Sequence, residues 1–199
     1  MKPTFLFSSL IAVFLFTLNV NAQTPKDYLS VPGPLSFNSA SYILSWTSHP
    51  AENYYKQEYL VKGDTATHFK TMLMLEVLTG TANAKGIADS KVAELKSLKA
   101  TNPIITYDLT SNVATGEYVL DFVISDNAPD GTVKIAERNI YRYTTFTDKA
   151  GKKNILLFGI SVRSYGTDTR KFLADLKLNK NELLAKAKKF TIPAITIKK

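Results

Sequence analysis

Two stretches in the second half of this chain, Glu117 to Ser125 and Ile155 to Val162, are apolar on both faces that a strand would present. In the first, Tyr118, Leu120, Phe122 and Ile124 fall on one side and Val119 and Val123 on the other. A half-solvated antiparallel strand alternates apolar with polar residues, so these two belong inside a sheet that is covered on both sides. They sit in a series of four strand-like segments, Ile104 to Leu109, Glu117 to Ser125, Thr132 to Thr147 and Asn154 to Tyr165. Thr115-Gly116, Pro129-Asp130-Gly131 and Ala150-Gly151 separate them as turns.

The cover must come from helices. Val92, Leu95 and Leu98 share one side of a helix from about Ala88 to Lys99, stopped by Asn102-Pro103. A last helix starts at Thr167 or Asp168 and carries Phe172, Leu173 and Leu176. Asn179 with Glu182 three residues on has the form of a capping box that restarts it, followed by Leu183, Leu184, Ala187 and Phe190. Nearer the N-terminus, Ser41 to Ser48 and Tyr54 to Val61 form a strand pair around the turn residues His49 to Asn53. Phe69, Met72, Leu73 and Val77 then recur at helical spacing behind a cap at Asp64 or Thr65, which predicts a helix ending by Thr79-Gly80. The expected fold class is α+β: an antiparallel sheet of about six strands in the order β-β-α-α-β-β-β-β-α, with helices packed on it.

At the start, Lys2 precedes an apolar run from Phe5 to Val20, and Val20-Asn21-Ala22 supplies a cleavage site. Residues 1–22 are expected to be a cleaved signal peptide, because the run is short for a bilayer span of roughly 20 residues. The expected organisation continues with an extended, Pro-rich lead-in over 23–40 on the surface. One α+β domain over 41–190 follows, then a basic tail over 191–199 whose Thr191 to Thr196 alternates like a short strand. The chain has no Cys, which excludes a lipidated N-terminus, disulfide staples, thiolate chemistry and a cysteine zinc site. Without Lys2 the net charge is +7, and residues 167–199 hold +6 of it, with nine basic and three acidic residues. The body is thus near neutral and the C-terminal end is basic.

The segment Glu58-Tyr59-Leu60-Val61-Lys62-Gly63-Asp64-Thr65, leading on to Met72, resembles one found in small exported bacterial proteins of unknown function. Phe69 stands where that segment usually has Trp. The order of elements also resembles the PsbP-like sandwich, a fold of lumenal and periplasmic accessory proteins. The resemblance implies a binding or accessory role and brings no catalytic residues with it.

Motifs for chemistry are few. His49 and His68 lack HExxH spacing, so no metal site is expected. Ser161 follows Gly159-Ile160 inside a strand, without the strand-to-helix turn that exposes a nucleophile. Asp126 to Gly131 has the composition of a hairpin turn and misses the ligand pattern of a calcium loop. Arg138 and Arg142 share a strand face by the period of two. With Arg163 and Tyr165 from the next strand they would form a patch for a carboxylate or phosphate, unless Glu117, Asp121 and Glu137 pair with them. Lys177, Lys180, Lys186, Lys188 and Lys189, followed by Lys198 and Lys199, form a basic surface at the other candidate site.

The expected function is therefore that of an exported, non-enzymatic binding or accessory protein of the periplasm, cell envelope or extracellular space, with no cofactor. Its expected partners are anionic lipid, envelope glycan or an acidic protein. Nucleic acid is not expected, and no membrane span is expected after cleavage. The alternatives are an exported hydrolase without a local motif and a structural envelope component.

Overall fold

The computed structural model describes residues 24–80 and 83–198. The expected signal peptide, residues 1–22, lies outside the described residues. Eight strands and two helices follow in order: β1 (Leu35–Phe37), β2 (Ala40–Ala51), β3 (Tyr54–Leu60), β4 (Thr71–Thr79), α1 (Ala84–Lys99), β5 (Thr106–Asn112), β6 (Glu117–Asn127), β7 (Val133–Thr147), β8 (Lys153–Tyr165) and α2 (Asp168–Lys189). All eight strands form one antiparallel sheet in the spatial order β1-β2-β3-β4-β8-β7-β6-β5. The first four make a meander, α1 carries the chain to the far edge, and the last four return to the centre. There β8 pairs with β4 from Thr71↔Val162 to Thr79↔Asn154.

The sheet has eight strands rather than about six, and two helices rather than three. The segment read as a helix over residues 64–79 is a turn followed by β4. Its sequence, TMLMLEVLT, is nearly continuous apolar because the strand is covered on both faces: Leu73, Leu75 and Val77 face one core, while Met74 faces the other. A short apolar run of this kind carries helical and strand spacings at once. Asp64 caps no helix; its carboxylate accepts from the Lys70 amide, and Thr65 and His68 exchange backbone hydrogen bonds across the turn.

One core, on the α2 side, gathers Leu73, Leu75, Val77, Val119, Ile140, Leu156, Phe158 and Ile160 under Leu183, Leu184, Ala187 and Phe190. The other gathers Met74, Leu120, Phe122, Tyr143, Ile155 and Leu157 under Ala84, Ala88 and Leu95 of α1. Asn83 caps α1 by accepting from the Gly86 amide at 2.6 Å. In α2, Asn179 leaves helical geometry (φ −121°, ψ 16°), so the predicted restart is a kink. No helix among the described residues is long and apolar enough to cross a membrane.

The lead-in read as a surface segment is part of the α2-side core. Leu29, Val31, Leu35 and Phe37 are all buried there, and β1 extends the sheet. Two buried polar side chains of β3 satisfy its backbone. The Gln57 carbonyl accepts from the Leu29 amide at 2.9 Å, and the Tyr59 hydroxyl donates to the Val31 carbonyl at 2.7 Å. The C-terminal tail lies against the same segment: the Thr196 amide donates to the Leu29 carbonyl and the Lys198 amide to the Tyr28 carbonyl. Ile192, Ile195 and Ile197 pack on the core beneath.

Asp27 locks these two termini together. Its carboxylate accepts from the Val31 amide at 2.9 Å and pairs with Lys198 at 2.6 Å. Burial works to raise its pKa, but hydrogen bonds from Lys198, Val31 and Gln57 outweigh that and hold it below the ordinary 3.8. A carboxyl depressed in the folded state stabilises fully above its unfolded value and loses that contribution as pH falls through the folded one. The expected result is a wild-type protein that loses more stability below about pH 4 than Asp27→Asn does. Thermal melts of both proteins from neutral to acid pH check this, and parallel curves would rule it out.

Candidate functional site

The two arginines of β7 and the arginine of β8 do not share a face. Arg138 lies opposite Val162 and Glu137 opposite Arg163, so Arg138 and Arg142 face α2 while Arg163 points to the α1 side. Each is ion-paired. Arg138 binds Asp121 through two hydrogen bonds of 3.0 and 2.8 Å, Arg142 binds Glu117 at 2.7 Å, and Arg163 binds Glu137. The first two also anchor α2. Arg138 donates to the Lys180 carbonyl beside the kink at 2.6 Å, and Arg142 donates to the Ala187 and Phe190 carbonyls at the helix end. Helix C-termini leave such carbonyls unpaired, and a guanidinium fork suits them. Tyr165 lies on the Arg163 side of the sheet, away from Arg138 and Arg142, exchanging hydrogen bonds with the Phe69 backbone and stacking on His68 at 4.2 Å.

Lys177, Lys180, Lys188 and Lys189 are exposed on α2, whereas Lys186 is half-buried and reaches Glu182 and Asn38. His49 stacks on Tyr55, and no metal-binding group of three or more His, Cys, Asp or Glu occurs among the described residues. Ser161 is buried and donates to Asn139 rather than to a histidine. Asp126 and Asn127 end β6, with Asp126 paired to Lys134, and in the turn that follows the Asp130 carboxylate accepts from the Thr132 amide.

The site that strand spacing did not reveal is the open part of the α1-side face. α1 lies chiefly over β5, β6 and β7; it meets β4 around Met74 and Leu78, and its main contacts do not extend to β2 and β3. The loop between β3 and β4 borders this floor, where Phe69 packs on Leu60 and Met72. A hollow of about 340 Å3 results, with Trp46, Lys56, Glu58, Glu137, Tyr141 and Arg163 in its lining. Trp46, the only tryptophan of the chain, is 43% exposed, and the Lys56 ammonium lies 5.7 Å from its ring centre.

The charged groups of this floor are mutually satisfied. Lys56 bridges Glu58 at 3.0 Å and Glu76 at 3.4 Å, and Tyr54 donates to Glu76. Arg163 lies over the Phe69 ring at 4.2 Å and holds Glu137, which accepts from Asn139. Burial opposes the charge of Lys56, but Glu76 and Glu58 outweigh it and raise its pKa. Burial likewise opposes Arg163, and Glu137 outweighs it. For Tyr141, burial and the carboxylates of Glu76 and Glu137 act together and push the hydroxyl well above its usual value. Near neutral pH these two cations stay charged and this phenol stays protonated. Gly159 makes the floor flat: a Cβ there would lie 3.0 Å from Met74 and 3.2 Å from Tyr141. An exposed tryptophan beside Lys–Glu and Arg–Glu pairs was findable in sequence only with the register of β2, β3 and β8 in hand.

No curated protein matches the chain. The matched family span starts at Leu29, where the buried core also starts, and takes in every strand and both helices. Residues 29–192 match the model of an uncharacterised protein family, and the chain belongs to that family.

Proposed function

We propose that this is an exported binding protein whose ligand lies on the open sheet floor around Trp46, and that the ligand is a saccharide of the cell envelope. The observation that carries this reading is an exposed tryptophan set among paired charges. A sugar ring offers an apolar C–H face to an aromatic ring and a rim of hydroxyls to ionised hydrogen-bonding groups. Two cations against three carboxylates leave no excess positive charge, which favours a neutral polyhydroxylated ligand over an anion. The apolar leader expected at the N-terminus supplies the compartment.

The test is the emission of Trp46 titrated with N-acetylglucosamine oligomers and with a soluble peptidoglycan digest. Saturable quenching or a wavelength shift is expected. Calorimetry should show binding weakened about tenfold or more in Trp46→Ala, the loss typical of removing an aromatic anchor. Unchanged emission together with no calorimetric heat would reject the site. A second reading, contact of α2 with an anionic envelope surface, is favoured by the exposure of Lys177, Lys180, Lys188 and Lys189. Vesicle co-sedimentation that fails even at low salt would dismiss it.

A further inference from the structure

We propose a second site on the opposite side of the sheet: a groove under the first half of α2 that takes a single-chain anionic amphiphile, of the fatty carboxylate class. The two halves of α2 are held differently. Beyond the kink at Asn179, Arg138 and Arg142 tie the helix to β7, and Ala187 is fully buried. Before it, Thr169 is the only buried residue of the helix, and no arginine anchor reaches it among the described residues. Leu173 and Leu176 stay half-buried over a groove of about 510 Å3, opposite Ile104 and Val123 near the edge strand β5. That volume lies within the range of roughly 300–1,000 Å3 usual for small-molecule pockets.

Charge selects the occupant. Lys177 and Lys180 stand at the mouth with their ammonium groups free of ion pairs among the described residues. Inside, Arg138 and Asp121 neutralise each other. An apolar trough with unpaired cations at its rim fits an alkyl chain carrying one negative head. The trough takes the methylenes and the lysines take the carboxylate. A ligand there would complete the cover that Leu173 and Leu176 leave unfinished.

Calorimetry of the purified protein with decanoate, dodecanoate and tetradecanoate, each below its micellar concentration, tests this. Affinity is expected to rise about fourfold per added methylene. The double variant Lys177→Glu, Lys180→Glu changes only exposed groups and should weaken dodecanoate about tenfold while leaving decanol unchanged. Leu176→Asp should abolish binding, and circular dichroism checks that it is folded. Trp46 emission should not change, because the groove and the open floor lie on opposite faces; this separates failure here from failure of the saccharide reading. Equal binding of dodecyltrimethylammonium, no chain-length dependence, an undiminished Lys177→Glu, Lys180→Glu variant or a Trp46 response would each overturn the assignment.

Discussion

Arg138→Ala will lower the unfolding free energy by about 3–5 kcal/mol, read by urea denaturation. The Arg138 side chain is 3% exposed and its partner Asp121 13%, so the pair is largely out of water. Truncation leaves the Asp121 carboxylate buried without its two hydrogen bonds and removes the tie from the sheet to the Lys180 carbonyl. The loss comes mainly from the orphaned charge rather than from any large net stability of the intact pair. Replacing both members with apolar residues, Arg138→Met with Asp121→Leu, should therefore cost less than Arg138→Ala alone. If Arg138→Ala lies within about 1 kcal/mol of wild type, the pair behaves as a screened surface bridge and the account is wrong.

Phe158→Ala is expected to cost a similar amount, about 3–5 kcal/mol. Phe158 is fully buried at the middle of the central strand β8. Its ring stacks on Phe190 with centroids 4.5 Å apart and an angle of 9° between planes. Phe190 ends α2, and its carbonyl accepts from Arg142, so the cavity opens where the helix is fastened. A double-mutant cycle with Phe190→Ala should show a coupling of about 0.5–1.5 kcal/mol, the value of an aromatic pair beyond its buried area. For a domain of this size the melting temperature should fall about 2–4 °C per kcal/mol lost. Additive effects of the two substitutions would mean that the rings contribute only their area.

Much of the second half of the fold was legible because local chemistry and burial agree there. β5 to β8 are long, alternate or run apolar, and are divided by Gly, Pro and Asp turns, so the pattern admits little else. The break in α2 at Asn179 was legible from the capping residues. The first half misled where burial on both faces erased periodicity, as in Thr71 to Thr79. It misled again where proline and glycine hid a buried segment: Leu29 and Val31 are held by Gln57 and Tyr59, partners nearly thirty residues away.

The arginines divide what each level decided. Composition and period alone named Arg138, Arg142 and Arg163 together with Glu117, Asp121 and Glu137, and these six do form three ion pairs. The sequence by itself thus determined which charges are available, that Arg138 and Arg142 share a face, and that a two-sided sheet must be covered by helices. Which face is covered, and by what, came only with the tertiary structure. Pairing of Arg138 with Val162 rather than with Arg163 sends Arg163 to the other side of the sheet. A shift of one residue in register reverses every side chain of a strand, and register is set by contacts between distant segments rather than by any local pattern.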